Sequence, residues 1–166
     1  LNALTADGLD LVQTKYIDVS ESIARRFSLC KNDLLICRSV GSYDLVAKCA
    51  VVPVDAPGIL FPDIIIRARL KPNLLPDYVR EVMHTPLGRS HFQSNARTAV
   101  GMWKIGAEDI ASFPLPVPPL GVQRKITEKV KKCRAQIARD REIAEKTAEQ
   151  IKDDLKAWLL GTRKAG

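Results

Sequence analysis

The sequence predicts an α+β protein, in which a mixed globular domain with a twisted β-sheet and short helices precedes a long C-terminal coiled-coil helix. Three observations predict this class. Short apolar runs of strand length alternate with short helical patterns over roughly the first 110 residues. Four prolines then occur within Pro114–Pro119, where they fix φ and remove backbone donors. Beyond them no proline occurs, and apolar residues recur at helical spacing. We therefore predict a globular domain at 1–118 and a spacer helix at 119–163.

The first half of the globular domain predicts strands. Residues 16–19 (Tyr-Ile-Asp-Val) form a short strand candidate, and Ser20 is placed to cap a helical turn that extends to Phe27. The runs 34–39 and 45–52 predict a β-hairpin with a small polar tip at 41–44. Residues 59–70 then supply one or two further strands, and the continuous isoleucines at 64–66 predict burial.

The second half of the globular domain predicts helices and a loop. Pro76 is a good first-turn residue for a helix that extends to His84, and a second helix is predicted to begin near Thr85. The small and basic stretch 95–104 is predicted to be a loop, followed by a short turn at 107–110. We expect residues 113–117 to close the domain as an edge strand, because proline is tolerated at sheet edges.

The C-terminal segment predicts a coiled-coil helix of about five heptads, because its apolar and small residues alternate at spacings of three and four. The predicted pairing residues are Ile126, Val130, Cys133, Ile137, Ala144, Ile151, Leu155 and Trp158. Gly161 is expected to end the helix. Since a lone helix of this kind is marginally stable in water, we expect a partner helix from a second copy or from another stretch of a longer chain.

Charge points to an anionic partner. The formal net charge is +7, and the excess lies in residues 67–104, with 7 basic and 2 acidic side chains, and in residues 121–166, with 13 and 7. Nucleic acid is favoured over membrane, since no amphipathic segment is rich in exposed aromatic residues. A helix whose charges only solubilise it stays open as an alternative. Without a signal peptide or a long apolar run, a cytoplasmic protein with reduced cysteines is expected.

Catalytic motifs are absent from the sequence. Neither GxGxxG nor GxxxxGK[ST] occurs, and no Gly-x-Ser-x-Gly elbow occurs, so only a triad assembled from distant residues stays open. Residues 117–120 (Val-Pro-Pro-Leu) lack the polar and aromatic residues of the adenine methyltransferase signature. His84 and His91 have no neighbouring residues that would complete a zinc site. We predict a protein that binds rather than catalyses, with no metal.

Basic and polar side chains in two loops are the candidate DNA contacts. Arginine and lysine neutralise phosphates, while arginine, serine, asparagine and threonine can reach base edges in the major groove. Each residue alone is equally consistent with a solvated loop, and Trp103 with a core anchor. The predicted DNA-binding residues are Arg38, Ser39, Ser42, Tyr43, Asp44, Lys48, Arg67, Arg97, Thr98 and Lys104.

Several of these segments resemble the specificity subunits of type I restriction-modification enzymes. Residues 32–42 (NDLLICRSVGS) and 45–50 (LVAKCA) are similar to that family's "GDLLxSRxGS…xGKxAxV" pattern. Residues 85–89 (TPLGR), 99–105 (AVGMWKI) and 113–126 (FPLPVPPLGVQRKI) resemble its "SPxGR", "GxxQxxI" and "LPIPLPPLxEQRxIV" segments. Asn32 and Ala47 stand where that pattern has glycine, and Met102-Trp103 replace a polar pair.

The resemblance implies a non-catalytic subunit that reads double-stranded DNA. Its target recognition domain would bind one half of a split site, and the long helix would fix the spacing between halves. It implies methyltransferase (M) subunits that hold S-adenosylmethionine and a restriction (R) subunit that uses ATP, with no cofactor on this chain. The family carries two recognition domains, and we expect the first strands of this one to lie upstream of Leu1. Two alternatives stay open: the C-terminal recognition domain of a single-chain DNA adenine methyltransferase or fused restriction enzyme, and a pure assembly module.

Overall fold

The computed structural model describes residues 4, 8–11 and 15–160, and the chain divides into two compact units, Leu1–Arg124 and Lys125–Gly166. Helices and strands both occur, which confirms the predicted α+β class. The helices are α1 (Glu21–Phe27), α2 (Pro76–Met83), α3 (Pro86–Asn95), α4 (Ala107–Ala111) and α5 (Leu120–Leu159). The strands are β1 (Ser28–Leu29), β2 (Leu34–Cys37), β3 (Ser39–Val40), β4 (Cys49–Val51), β5 (Ala56–Leu60), β6 (Ile65–Ala68), β7 (Arg97–Ala99) and β8 (Met102–Lys104), with a 3-10 turn at Tyr43–Leu45.

A three-stranded antiparallel sheet in the order β4–β2–β6 forms the centre of the first unit. All four residues of β2 are buried, because this strand lies between two neighbours and is covered on both faces. The pairing of β2 with β4 confirms the predicted hairpin. Strand β6 confirms one strand within 59–70, while β5 begins at Ala56 and overlaps only the first two residues of that range. Burial of the isoleucine run is confirmed for Ile65 only, since Ile64 and Ile66 are half-buried.

A second sheet, in the order β3–β8–β7, corrects the predicted loop at 95–104. Residues 97–104 form a β-hairpin in which Ala99 pairs with Met102 around a two-residue turn, while Asn95 is the last residue of α3. The turn residues Val100 and Gly101 have φ values of 51° and 72°. A turn with two positive φ values usually carries Asn-Gly or Asp-Gly, so Val-Gly gave no hairpin signal in the sequence.

A two-stranded sheet pairs β1 with β5, and the strand predicted at 16–19 is wrong. Tyr16 and Ile17 are exposed and lie outside any strand. A β-branched and aromatic run becomes a strand only where another strand offers backbone partners, and none is paired with it among the described residues. The helix that follows is as predicted: the Ser20 hydroxyl accepts from the Ile23 N–H at the start of α1.

Helices α2 and α3 begin where the sequence predicted, with proline at the first position of each. The Thr85 hydroxyl accepts from the Gly88 N–H and caps α3. The two helices pack closely at Gly88, which is buried: a Cβ placed there would lie 2.4 Å from the Met83 carbonyl oxygen. Met83 and Phe92 in turn lie in the core with Leu34 and Ile36.

The proline segment 113–119 is not the predicted edge strand. Four of its seven residues are prolines without an N–H, so the segment cannot donate a strand ladder, and its carbonyls instead accept hydrogen bonds from side chains of the first unit. The Tyr78 hydroxyl donates to the Pro116 carbonyl at 2.9 Å, and Gln123, in the first turn of α5, donates to the Pro118 carbonyl at 2.7 Å. Both contacts lie within the first unit.

Gln123 is fully buried and connects three backbone groups. Its Oε1 accepts from the Leu75 N–H at 2.9 Å, and its Nε2 donates to the Asn73 carbonyl at 2.9 Å as well as to Pro118. Leu75 is the N-cap residue of α2, and its own side chain makes no capping hydrogen bond. One amide side chain therefore joins the start of α5 to the start of α2.

Helix α5 confirms the predicted long helix over 40 residues, and the stop signal Gly161 lies outside the described residues. Several of the predicted pairing residues present apolar side chains to solvent along it: Ile137 is 49% exposed, Ile151 54% and Trp158 64%. Pairing itself stays a prediction. No helix of the described residues is long and apolar enough to span a membrane.

Burial separates the four cysteines into two pairs. Cys37 and Cys49 are buried, while Cys30 and Cys133 are exposed and all four are reduced. Burial raises the pKa of the Cys49 thiol to about 12 and also raises the pKa of Cys37.

We expect two of the four thiols to react quickly with an aromatic disulfide reagent at pH 8, and the other two to react only after unfolding. The buried pair are protonated in the folded state and out of reach. Folding raises the pKa of Cys49 from 9.0 to about 12, so between these pH values the unfolded chain loses this proton before the folded chain does. The free energy of unfolding should therefore fall as the pH rises from 9 toward 12. Four fast thiols in native protein would contradict this arrangement.

Candidate nucleic-acid interface

The two loops that the sequence singled out meet in one sheet. Ser39 of β3 pairs with Lys104 of β8, and Lys104 pairs in turn with Arg97 of β7. We name one surface the loop face. It comprises the exposed residues of this sheet, the exposed residues of the turn at 41–45, and Arg38, which precedes the sheet. The sheet places Ser39 beside Lys104 and Arg97, although Ser39 and Arg97 are far apart in the chain. Arg38 precedes the sheet, and its carbonyl accepts from the Ile105 N–H at 2.9 Å.

An aromatic contact joins the 3-10 turn to β8. The rings of Tyr43 and Trp103 meet edge to face with centroids 4.7 Å apart at 61°. Trp103 is half-buried and packs against the core, which supports the core-anchor interpretation of this residue. Tyr43 remains exposed, and its position is fixed by the indole beneath it.

Side chains of α3 donate hydrogen bonds to the 3-10 turn and the residues beside it, a role that sequence reasoning did not predict. The Arg89 guanidinium donates to the carbonyls of Val46 and of Asp44, the latter at 2.9 Å. Gln93, one helical turn further on, donates from Nε2 to the Asp44 carboxylate at 3.4 Å. The available signal was the similarity of residues 85–89 to the family's "SPxGR" segment, which gave Arg89 no role.

An Arg89→Ala variant should lose about 1–2 kcal/mol of unfolding free energy, because the two carbonyls lose charge-assisted donors. Arg89→Lys should recover only part of this, since an ammonium cannot reproduce the planar two-donor geometry. Chemical denaturation measures the change, with Arg38→Ala as the control on the exposed side of the face. Equal stability of the Arg89→Ala and Arg38→Ala variants would show that the turn does not depend on this arginine.

Most of the predicted DNA-binding residues lie exposed on the loop face. The exposed members are Arg38, Ser42, Tyr43, Asp44, Arg97, Thr98 and Lys104. Lys48 is half-buried at the edge of this region, and its carbonyl accepts from the Cys37 N–H at 2.8 Å. Ser39 is only 9% exposed, so its hydroxyl is largely out of contact with solvent.

Arg67 lies elsewhere, with its guanidinium engaged by the protein. It donates to the Ser28 carbonyl at 2.8 Å and to the Arg26 carbonyl at 3.1 Å, and it stacks on the Phe61 ring at 5.1 Å. Asp33, which is buried, lies 3.9 Å away and also binds Arg69 at 2.9 Å. Both arginines thus support the end of the central sheet opposite Arg38.

The charges of the β7–β8 hairpin are only partly balanced within the protein. Arg97 lies 3.6 Å from the carboxylate of Asp109, which is itself buried and accepts from the Gly106 N–H at 2.7 Å. Lys104 lies directly opposite Arg97 across the hairpin. Like charges placed opposite each other destabilise a strand pair, so the hairpin gains from a nearby anion.

Within the described part of the chain, no group of three or more histidine, cysteine or acidic side chains could hold a metal ion. His84 accepts from the Cys49 N–H at 3.4 Å, and His91 bonds the Asp109 carbonyl oxygen at 2.9 Å. Both histidines therefore have structural contacts. The loop face can bind a ligand, because it offers cationic donors, hydroxyls, one aromatic ring and backbone at a sheet edge.

A known protein is similar in sequence to this chain. No protein-family model matches the chain. It is 30% identical over 131 residues to the type I restriction enzyme EcoKI specificity subunit of Escherichia coli (strain K12). The chain is a distant homologue of that subunit. The similarity covers 78% of this chain but only 28% of the relative, so the chain spans less than a third of the relative's length.

Proposed function

We propose that the chain is the DNA-recognition portion of a type I specificity subunit and binds one half of a split duplex target through the loop face. The observation that supports this most is the sheet that pairs Ser39 with Lys104 and Lys104 with Arg97, with exposed Arg38 immediately before it in the chain. A two-stranded ribbon fits the major groove, and arginine and lysine neutralise the phosphates beside it. The homology supplies the class of protein, and the loop face supplies the surface.

In this proposal the chain performs no chemistry. M subunits would carry S-adenosylmethionine and methylate the target, while an R subunit would use ATP and cleave. This chain would hold neither cofactor and would act in the cytoplasm, where its DNA and partners are found. The helix would fix the spacing between two half-sites.

The proposal also assigns a role to α5, whose apolar stripe would pair with a second long helix. Changing both Ile137 and Ile151 to aspartate should abolish pairing, because each would place a charge in the seam. Ala138→Asp, one position away from the stripe, is the matched control. Sedimentation at several concentrations measures the association. A monomeric wild-type chain that also fails to pair with a supplied second recognition chain would contradict this role.

Salt dependence of duplex binding tests the DNA role. The logarithm of the wild-type binding constant should fall steeply with the logarithm of salt concentration, and the slope should lessen by about 0.9 for each phosphate contact removed. We expect this for Arg38→Ala and Lys104→Ala. Lys31→Ala removes an exposed lysine at the opposite end of β2 and should leave the slope unchanged.

Three results would count against the proposal in different ways. A wild-type chain that binds no duplex, with or without M subunits, leaves an assembly module. Binding that does not respond to salt removes the phosphate contacts. Methyl transfer from S-adenosylmethionine by the longer polypeptide alone would favour the single-chain methyltransferase alternative.

A further inference from the structure

The tip of the β7–β8 hairpin is built in an unfavourable way. Val100 has φ 51° and Gly101 has φ 72°, between the paired residues Ala99 and Met102. Glycine adopts this left-handed region freely, and asparagine adopts it readily, but a β-branched side chain is a genuine outlier there. The fold could form the same turn with less strain using Asn-Gly.

The side chain of Val100 does not recover this cost by packing. It is fully exposed, whereas the partly buried Met102 and Trp103 of the same hairpin face neighbouring groups. An isopropyl group held in a strained backbone and in full contact with water stabilises nothing in the free protein. Strain that the fold does not need is a reason to look for a ligand.

The surroundings of Val100 indicate what that ligand is. Two exposed cations, Arg97 and Lys104, lie opposite each other on the strands that lead to the tip. An apolar tip that extends beyond a pair of cations suits a groove with phosphates on its walls and an apolar group on its floor. In the major groove that group is the C5-methyl of thymine.

We propose that Val100 is a specificity-determining residue that contacts a thymine methyl group in the major groove. This inference rests on the proposed DNA-binding function and adds a base and a residue to it. The major groove is favoured over the minor groove because it is about 12 Å wide and admits a two-stranded ribbon, whereas the minor groove is about 6 Å wide. Direct apolar contact would then offset the strain of the turn only when the correct base is bound.

The test uses the full chain and a duplex that the wild type selects from a random pool. Each thymine of that duplex is replaced in turn by deoxyuridine, which removes only the methyl group. We expect one position at which the wild type loses about 3- to 10-fold in affinity, as for an apolar contact of one methyl group. Val100→Asn should bind the thymine duplex correspondingly more weakly and should no longer distinguish thymine from deoxyuridine there.

Two further measurements separate contact from folding. Val100→Asn relieves the strained turn, so its melting temperature should rise by roughly 2 to 6 °C while its affinity falls. Val100→Ile keeps both strain and apolar contact and should retain the discrimination. The inference is overturned if Val100→Asn matches the wild type on both duplexes, or if no thymine position responds. A wild type that selects no sequence would instead overturn the proposed function, and this inference with it.

Discussion

A Gly88→Ala variant should lose about 3 kcal/mol or more of unfolding free energy, with a fall of roughly 6–12 °C in melting temperature. A Cβ at this position would lie 2.4 Å from the Met83 carbonyl oxygen and 2.6 Å from its Cα. Both are backbone atoms, so relief requires α2 and α3 to separate. That separation would open the core around Phe92 and loosen Arg89, which holds the loop face.

Gly121→Ala is the matched control. It also lies in a helix, and a Cβ there meets no atom within 4 Å. The substitution should be neutral or stabilise α5 by up to about 1 kcal/mol, since alanine is the better helix former. If both variants melt at the wild-type temperature, then α2 and α3 are not packed as closely as the structure has them.

Gln123→Ala should destabilise the first unit by about 2–4 kcal/mol. The side chain is fully buried and satisfies the Leu75 N–H and two carbonyls, of Asn73 and Pro118. Truncation leaves these backbone groups without this partner and creates a cavity, and a buried donor left unsatisfied costs more than the bond itself contributed.

Thermal and denaturant unfolding measure this change, with exposed Lys125→Ala as the control from the same helix. Gln123→Glu is a sharper comparison, because glutamate keeps an acceptor for Leu75 but cannot, as a carboxylate, donate to either carbonyl. We expect it to be no more stable than the alanine variant, since it adds a buried charge. Near-wild-type stability of Gln123→Glu would show that the two donated bonds contribute little.

Helices were predictable from the sequence because their signals are local. Ser20, Pro76 and Thr85 mark helix starts through capping and fixed φ, and the structure begins α1, α2 and α3 at those points. The apolar spacing after the prolines likewise predicted α5. None of these depends on distant residues.

Strand predictions were wrong where pairing depends on a distant partner or on an unusual turn. Residues 16–19 have strand composition but lie unpaired, and 113–117 lacks the donors for a ladder. The hairpin at 97–104 forms because β8 has β3 as its other neighbour, a pairing between residues some 65 positions apart. The turn at its tip was also not predicted, because Val-Gly is not a usual sequence for a turn with two positive φ values.

The candidate site was predicted as residues and not as a surface. Charge and loop position pointed to Arg38, Arg97 and Lys104, but only the β3–β8 pairing brings the strand that follows Arg38 beside Lys104. The sequence could not distinguish Arg67, which binds backbone carbonyls, from an arginine available to DNA. It also gave no role to Arg89 or Gln123, because both act through contacts with distant backbone.

DNA recognition by the loop face is tested most directly by selecting duplexes from a random pool with the full chain and sequencing them. We expect enrichment of one short contiguous half-site, which Arg38→Ala and Lys104→Ala weaken and Lys31→Ala leaves intact. Folded wild-type protein that enriches no sequence, alone or with M subunits, would contradict recognition of DNA by the loop face.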